Sequence, residues 1–423
     1  MEEKQSSQTS QDSNVLYPTN EKEVAGFIKK FYKSNIPLEI IGSGSKRGIG
    51  KPLQCGKTLN FSKLEGIIEY IPEELYIKVK AGTSIEKIEN RLKKNNQQLA
   101  FEPIDFGYLF QGKSNSGTAA GQVACNISGP RRFKVGSTRD HILGFKAVNG
   151  RGEIIKSGGT VVKNVTGYDL SKLICNSYGT LAAITEITFK VLPSPAESKT
   201  LVVHNQSIDY APEYLEKAVS SSNEVSGATY LPTEPICKNC EMNLENTFKL
   251  NDLEKKGSMT AIRIEGSKKS THERLKNLIK ELKLLKSDIS VLDTLQSEIF
   301  WKKIKNLEFF SLTKNNILRI VAPPSECTKL IYEIPNNFKY FIDWGGSLIW
   351  VEACELSEQK FESIRKRVIS HGGYVTMIKN SNHLPYVEDV FTINNVRFNI
   401  SQSIKKSFDP KRILNPGKMY TGI

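Results

Sequence analysis

Apolar positions recur at helical spacing through "EKEVAGFIKKFYKSN" (21–35), and "IPLEIIGSGSKRG" (36–48) reads as a short strand running into a glycine turn. "YIKVKAG" is expected as a strand, "TSIEKIENRLKKNNQ" as a helix opened by Thr83, and "QLAF" (98–101) as another strand. The segment "HILGFKAVNGRGEIIKSGG" carries two apolar runs joined at Asn149-Gly150-Arg151-Gly152, which predicts a hairpin because glycine tolerates positive φ. "LAAITEITFKVLPSP" reads as a strand stopped by Pro193 and Pro195, and that doublet marks a domain boundary. Beyond it the texture changes. "MTAIRIEG" is strand-like, "KKSTHERLKNLIKELKLLKS" is one long amphipathic helix, and "ISVLDT" follows. "NNILRIVAPP", "SECTKLIYEIPN" and "YFIDWGGSLIWVEA" repeat a strand–helix–strand theme that suits an antiparallel sheet in an α+β domain. The end, "SIKKSFDPKRILNPGKMYTGI", predicts a helix and then a Pro-Gly turn.

Composition narrows the picture. A chain of 423 residues has room for two or three domains, and 39% hydrophobic with 25% charged residues is the balance of a soluble globular protein. No run approaches the ~18 apolar residues of a membrane span. The opening "MEEKQSSQTSQDSN" has no apolar core of the signal-peptide kind, so residues 1–14 are expected as a disordered tail and the protein as cytoplasmic. The net charge of +14, from 59 Lys and Arg against 45 Asp and Glu, is spread along the chain rather than clustered with aromatics. That pattern suits solvated faces and argues against a nucleic-acid partner. Seven cysteines (55, 125, 175, 237, 240, 327 and 354) are odd in number and far apart, as free thiols in a reducing compartment would be. Cys237 and Cys240 form a lone "CKNC" with no second ligand pair, so no metal is expected.

Two glycine-rich stretches carry the candidate chemistry. In "GSGSKRG", Gly42 and Gly44 allow backbone N–H groups to converge on an anion, and Ser43, Ser45 and Lys46 add donors. The spacing is G-x-G-x-x-x-G with no helix after it, which excludes a dinucleotide fingerprint, and the Gly-Lys-Ser/Thr ending of a P-loop is missing. The second stretch, "GTAAGQVACNISGPRRFKVGSTRDHILG" (117–144), places a glycine every seven or eight residues, as a backbone wrapping an elongated ligand would. Thr118, Asn126 and Ser137 could reach phosphate, ribose or a ring carbonyl, while Arg139 and Asp140 could orient the loop or bind the ligand.

Together with "FEPIDFG", "GGTVVKNVTGYDLSKLICNSYGTLAAITEITFKVLP" and "FDPKRILNPGKMY", these stretches resemble the vanillyl-alcohol-oxidase type of flavoprotein, with its PCMH-type FAD-binding fold. Within that superfamily the chain is most similar to the FAD-binding subunits of bacterial glycolate oxidases, over nearly its whole length after about residue 18. The resemblance implies an α+β fold with a two-lobed FAD-binding domain over 15–195, a cap or substrate domain over 196–400, and a segment, 401–423, returning to the FAD domain. It implies that Ile41, Gly42, Ser43, Gly44, Ser45 and Lys46 cradle the FAD pyrophosphate. Gly117, Thr118, Gly121, Asn126, Gly129, Gly136, Ser137, Arg139 and Asp140 would run along the cofactor. Gly179, Thr180 and Ile184 would contact the adenosine end or the flavin, with Lys163, Asn164, Gly167 and Tyr168 near by. The first phosphate loop holds no His or Cys to tether the flavin, so non-covalent FAD is expected.

The activity implied is oxidation of glycolate, or another 2-hydroxy acid, to the oxo acid within a complex. Its partners would be a larger FAD-binding subunit and an iron–sulfur subunit that takes the electrons, at the inner face of the membrane. A stand-alone D-lactate-type dehydrogenase and a non-catalytic flavin-bearing assembly subunit are the alternatives. The five histidines, His141, His204, His272, His371 and His383, form no cluster of the kind catalytic relatives carry, and His371 is the single candidate for a substrate-side role. Arg131, Arg132 and Arg397 are candidates for a substrate carboxylate. Trp301, Trp344 and Trp350 are candidates for a partner interface.

Overall fold

The computed structural model describes residues 14–112, 114–160, 168–232, 257–311, 313–381 and 390–423. Its first helix, Glu21–Ser34, shows how local sequence sets local structure. Asn20 accepts the N–H of Glu23 as N-cap, Val24, Ile28 and Phe31 are buried one turn apart, and Asn35 ends the helix in a left-handed conformation. Three strands, β1 (Val15–Leu16), β2 (Leu38–Ile41) and β3 (Lys57–Asn60), pair in parallel around that buried face.

The chain continues through β4 (Ile67–Ile71), β5 (Tyr76–Lys80), β6 (Gln97–Gln98), β7 (Ile142–Asn149), β8 (Ile154–Gly158), β9 (Ala182–Lys190) and β10 (Leu192–Pro193). Five of these make an antiparallel sheet in the order β4-β5-β9-β7-β8, and β6 pairs with β10. The β7–β8 hairpin turns at Asn149, whose side-chain oxygen accepts the N–H groups of Arg151 and Glu153, with Gly152 at φ +80°. A second unit carries β11 (Glu197–His204), β12 (Val225–Leu231), β13 (Met259–Gly266), β14 (Ile289–Leu292), β15 (Asn316–Val321), β16 (Lys339–Asp343), β17 (Leu348–Ala353) and β18 (Tyr374–Lys379). They form one eight-stranded antiparallel sheet, ordered β14-β11-β13-β12-β16-β17-β15-β18, over the largest apolar core. The chain is thus α+β.

Several sequence expectations shift. The helix expected from Thr83 is capped by Ser84, whose hydroxyl accepts the N–H of Lys87, while Thr83 instead bonds Gly66. "QLAF" is not a strand beyond Gln98: Leu99, Ala100 and Phe101 are core residues and the chain turns at Glu102, φ +53°. The long helix from Lys268 stops at Glu281, because Lys283 takes a left-handed φ of +57°. The three tryptophans expected at an interface are buried, Trp301 and Trp350 at 2% exposure and Trp344 at 6%. Trp301 donates its indole N–H to Thr200 and Trp344 to the Gly129 carbonyl, so each is fixed within the fold.

A buried ionic network joins the two units. Glu102 and Arg131, from the first, meet Arg263 and Glu265 on β13 of the second, with Arg131 2.8 Å and Arg263 2.9 Å from their carboxylate partners. Burial alone would raise the Glu265 carboxyl, but Arg263 and Arg131 outweigh it and hold it at about 2.

Candidate cofactor cleft

β2 ends at Ile41 and releases the chain into a loop whose next residues face Thr118 and the helix Ala119–Cys125. Between them lies a cleft lined by Ile41, Gly42, Ser43, Gly44, Ser45 and Lys46 on one side and Thr118, Gly121, Ala124 and Cys125 on the other. It runs on into a mainly apolar arm lined by Phe61, Ala120, Tyr178, Gly179, Ala182 and Ile184, and the two share Ile40, Gly42 and Thr118.

The glycines are required where the walls meet. A Cβ on Gly42 would stand 2.2 Å from Thr118 Oγ1, and one on Gly117 would stand 2.6 Å from Ser45 Oγ and 2.8 Å from Lys46 Nζ. Thr118 itself caps the following helix by accepting the N–H of Gly121. Lys46 is the electrostatic centre of the cleft. Its ammonium is buried and has no hydrogen-bond partner among the described residues. Burial depresses its pKa, while Cys125 and Asp105 pull the other way without bonding it. A fixed, desolvated positive charge beside convergent glycine backbone is what an anionic group needs. Cys125 also lines the cleft, but burial pushes its thiol up to about 11, so it stays protonated at neutral pH.

The floor comes from the far end of the sequence. Leu38 N–H donates to Ile413 O, Asn415 N–H donates to Leu38 O, and Asn415 Oδ1 accepts Ile40 N–H at 2.7 Å. Asn415 Nδ2 donates to the Tyr178 carbonyl, and a Cβ on Gly179 would strike that same amide at 2.7 Å. Lys405, wholly buried, donates to Thr180 O, Leu414 O and the Asp409 carboxylate. Lys418 reaches the Arg47 carbonyl at 2.9 Å and lines the cleft with Asn415. The return of residues 401–423 to this domain is expected from the sequence, whereas the places of Asn415, Lys418 and Tyr178 in the lining are not. The "NPGKMY" run that holds two of them was the available signal.

The other candidate residues divide. Gly179 and Ile184 line the apolar arm, whereas Thr180 spends its hydroxyl on Ser177 O. Asn126, Gly129, Gly136, Ser137, Arg139 and Asp140 are not in the cleft lining and hold the glycine-rich segment in shape. Asn126 accepts the N–H of Arg139, Asp140 accepts both donors of Ser137, and Gly136 leaves room for Asp140. Gly129 packs against Glu102. Tyr168 is 92% exposed, while Lys163, Asn164, Gly167, Cys237, Cys240 and His383 lie outside the described residues. His371 stands away from the cleft. It closes the helix Glu358–Ser370, and its ring nitrogens meet Glu326 at 2.6 Å and Glu333 at 3.2 Å, two carboxylates that raise its pKa. Arg131 is consumed by the interlobe network and Arg397 is exposed on a helix. Among the described residues no group of three or more His, Cys, Asp or Glu could hold a metal, and no helix is long and apolar enough to cross a membrane.

Residues 13–158 match the FAD binding domain model and residues 351–419 the C-terminal domain model of FAD linked oxidases. The crystal structure of p-cresol methylhydroxylase superimposes with a TM-score of 0.69 at 15% identity, covering 97% of this chain and 88% of that one. Fold and cleft define an FAD-dependent oxidoreductase of the PCMH type, and the unpartnered Lys46 in a glycine cradle fits the cofactor's anionic diphosphate. Among curated proteins, the glycolate oxidase subunit GlcE of Escherichia coli (strain K12) is 32% identical over 388 residues, 91% of this chain and 93% of the relative. The glycolate oxidase subunit GlcD of Bacillus subtilis (strain 168) is 25% identical over 444 residues, 96% and 88% respectively. The chain belongs to the GlcE family of FAD-binding glycolate oxidase subunits.

Proposed function

We propose that this chain holds FAD non-covalently in the cleft and acts as the flavin-bearing subunit of an oxidase of small 2-hydroxy acids, with glycolate the foremost substrate. The buried, unpartnered Lys46 carries the reading: its charge is stranded without an anion and would be matched by a diphosphate. Ser43, Ser45 and the backbone of Gly42 to Lys46 would add donors. The apolar arm at Phe61, Ala182 and Ile184 suits a flat ring system. Cys125 stays a protonated thiol, which is why no thioether tether is expected.

When bound, FAD supplies a two-electron acceptor for the hydride leaving the hydroxyl-bearing carbon. The chain's own residues hold the diphosphate at Lys46, exclude water from the apolar arm and position the acid's carboxylate. The relatives bear subunit names, and we place this chain in a complex with a larger flavin subunit and an iron–sulfur subunit that takes the electrons. The test is an anaerobic spectrum of the purified chain before and after glycolate. A yellow protein that releases its flavin in acid supports non-covalent FAD. Bleaching by glycolate alone places the oxidation in this chain, and bleaching only once the larger subunit is added places it in the complex. A colourless protein that FAD cannot reconstitute rules the reading out.

A further inference from the structure

A second pair of cations lies unmatched between the two lobes. Arg319 is central on β15, with Trp350 of β17 opposite on one side and Thr376 of β18 on the other. Directly opposite residues share a sheet face, so Arg319 rises in a row with Phe341, Trp350 and Thr376. Its guanidinium stacks 5.9 Å from the Trp350 ring centre and 5.0 Å from that of Trp344. From the glycine-rich segment of the other lobe, Arg132 places its guanidinium 4.8 Å from the same Trp344 ring. Among the described residues neither arginine side chain has an ion pair or a hydrogen bond, and Arg319 Nε is buried without a partner. Asp140 and Tyr374 act on Arg132 only through space. The contrast with Arg131 and Arg263 is direct: those two share the same interface and are matched by Glu102 and Glu265.

The indole between the two cations is held in place. Trp344 adopts a left-handed φ of +51°, accepted by few residues with a side chain, and Gly345 and Gly346 follow at +64° and +103°. Its backbone N–H donates to Asp343 and its ring N–H to the Gly129 carbonyl. The assembly adjoins the cofactor cleft. Phe391 bridges Thr376, the neighbour of Arg319, and packs its ring 4.9 Å from Tyr178, which lines the cleft.

We propose that Arg132 and Arg319, one from each lobe, form a carboxylate-binding subsite that holds a small monocarboxylic or dicarboxylic acid against Trp344 beside the cofactor cleft. Two guanidinium forks without counter-ions in a partly desolvated interface match the planar two-oxygen geometry of a carboxylate. Which acid is taken, a small 2-hydroxy acid, rests on the function proposed above; the anion site itself rests on the arginines.

The test is calorimetric titration of the full chain with oxalate and with glycolate, in the FAD-loaded and FAD-free forms. Arg132→Met and Arg319→Met are compared with the conservative Arg319→Lys. Oxalate should bind saturably, each Met variant should bind it about 10- to 100-fold more weakly, and Arg319→Lys should recover part of the loss. The FAD content of all three should stay that of the parent chain. Variants that bind oxalate as tightly as the parent overturn the proposal, even with a lowered unfolding temperature, because the pair is then only a clamp on Trp344. Loss of FAD in both Met variants overturns it too, assigning the pair to the cofactor. A parent chain that takes up no FAD yet binds oxalate through these arginines removes the flavin reading and upholds the anion site.

Discussion

Exchanging Lys46 for Met should shift the flavin-free and flavin-bound forms in opposite directions. Met keeps the length and most of the volume of the lysine stem, so the packing against Gly117 and Ser45 is preserved while the charge is removed. In the flavin-free chain the ammonium is buried without a hydrogen bond, a condition that costs about 1–3 kcal/mol for a polar group. The through-space pull of the Asp105 carboxylate offsets part of that cost. Lys46→Met is therefore expected to stabilise the flavin-free protein by about 1–2 kcal/mol. The bound form should lose a charge-assisted hydrogen bond, worth about 1.5–3 kcal/mol, and so bind FAD about 10- to 100-fold more weakly.

Urea unfolding of the flavin-free chain and titration with FAD read the two effects separately. A pH series adds a third check. Burial lowers the folded-state pKa of Lys46 below its unfolded value, so in alkaline solution the unfolded chain binds more protons and stability rises with pH. The parent should show that rise towards about pH 10, and the Met variant should lack this contribution. A flavin-free Met variant less stable than the parent, or one with unchanged FAD affinity, would refute the account of Lys46 as a stranded cation awaiting a diphosphate.

Three further outcomes are expected. Gly42→Ala drives a methyl into Thr118, 2.2 Å from Oγ1 and 2.8 Å from Cγ2, and should weaken FAD binding at least ~10-fold while the fold, read by circular dichroism, persists. Asp343 is buried, which raises its carboxyl to about 7 despite the N–H of Trp344. The folded chain thus holds a proton that the unfolded chain releases near pH 4, and stability falls as pH rises from about 4 to 7, by up to ~4 kcal/mol. Asp343→Asn keeps the acceptor and should remove that fall; parallel pH profiles for parent and variant would contradict it. His371→Ala should leave glycolate-dependent flavin reduction unchanged. Its carboxylate partners raise the folded pKa, so any loss of stability should be present in full below about pH 6.5 and vanish only as pH rises through the higher folded-state pKa.

Much of the first lobe is legible because its signals are local. The Asn149–Gly152 turn and the glycines at 42 and 117 mark the chain where the backbone has few options, whereas the cap expected at Thr83 falls one residue later, on Ser84. The second unit is harder to read. β11 and β12 are buried nearly throughout although Ser, Thr and Gly interrupt their apolar residues, so the alternation that identifies a half-buried strand is absent. Trp344, expected at an interface, is buried because remote residues of both units meet it, Gly129 and Arg132 from the first and Arg319 from the second. The glycine-rich segment mixes two roles that composition does not separate. Gly117 and Gly121 serve the cleft, while Gly129 and Gly136 make room for Glu102 and Asp140.

The least legible part of the site is also what makes it a single unit. The cleft floor joins Ile40 to Asn415 across 375 residues, Tyr178 to Asn415 across 237, and Thr180 to Lys405 across 225. The partners in these contacts cannot be read from local pattern, because each sets the polar side chain of Asn415 or Lys405 against a remote backbone N–H or carbonyl. Bringing such distant segments together carries a loop-closure cost that local structure cannot offset. The groups that repay it are buried and numerous: Lys405 with three acceptors, Asp409 accepting the N–H groups of Ile413 and Leu414, and Asn415 bonding at both ends of its amide. The cleft therefore exists only after the C-terminal segment has docked on β2, and a cofactor held there is linked to the folding of the whole lobe rather than to one loop.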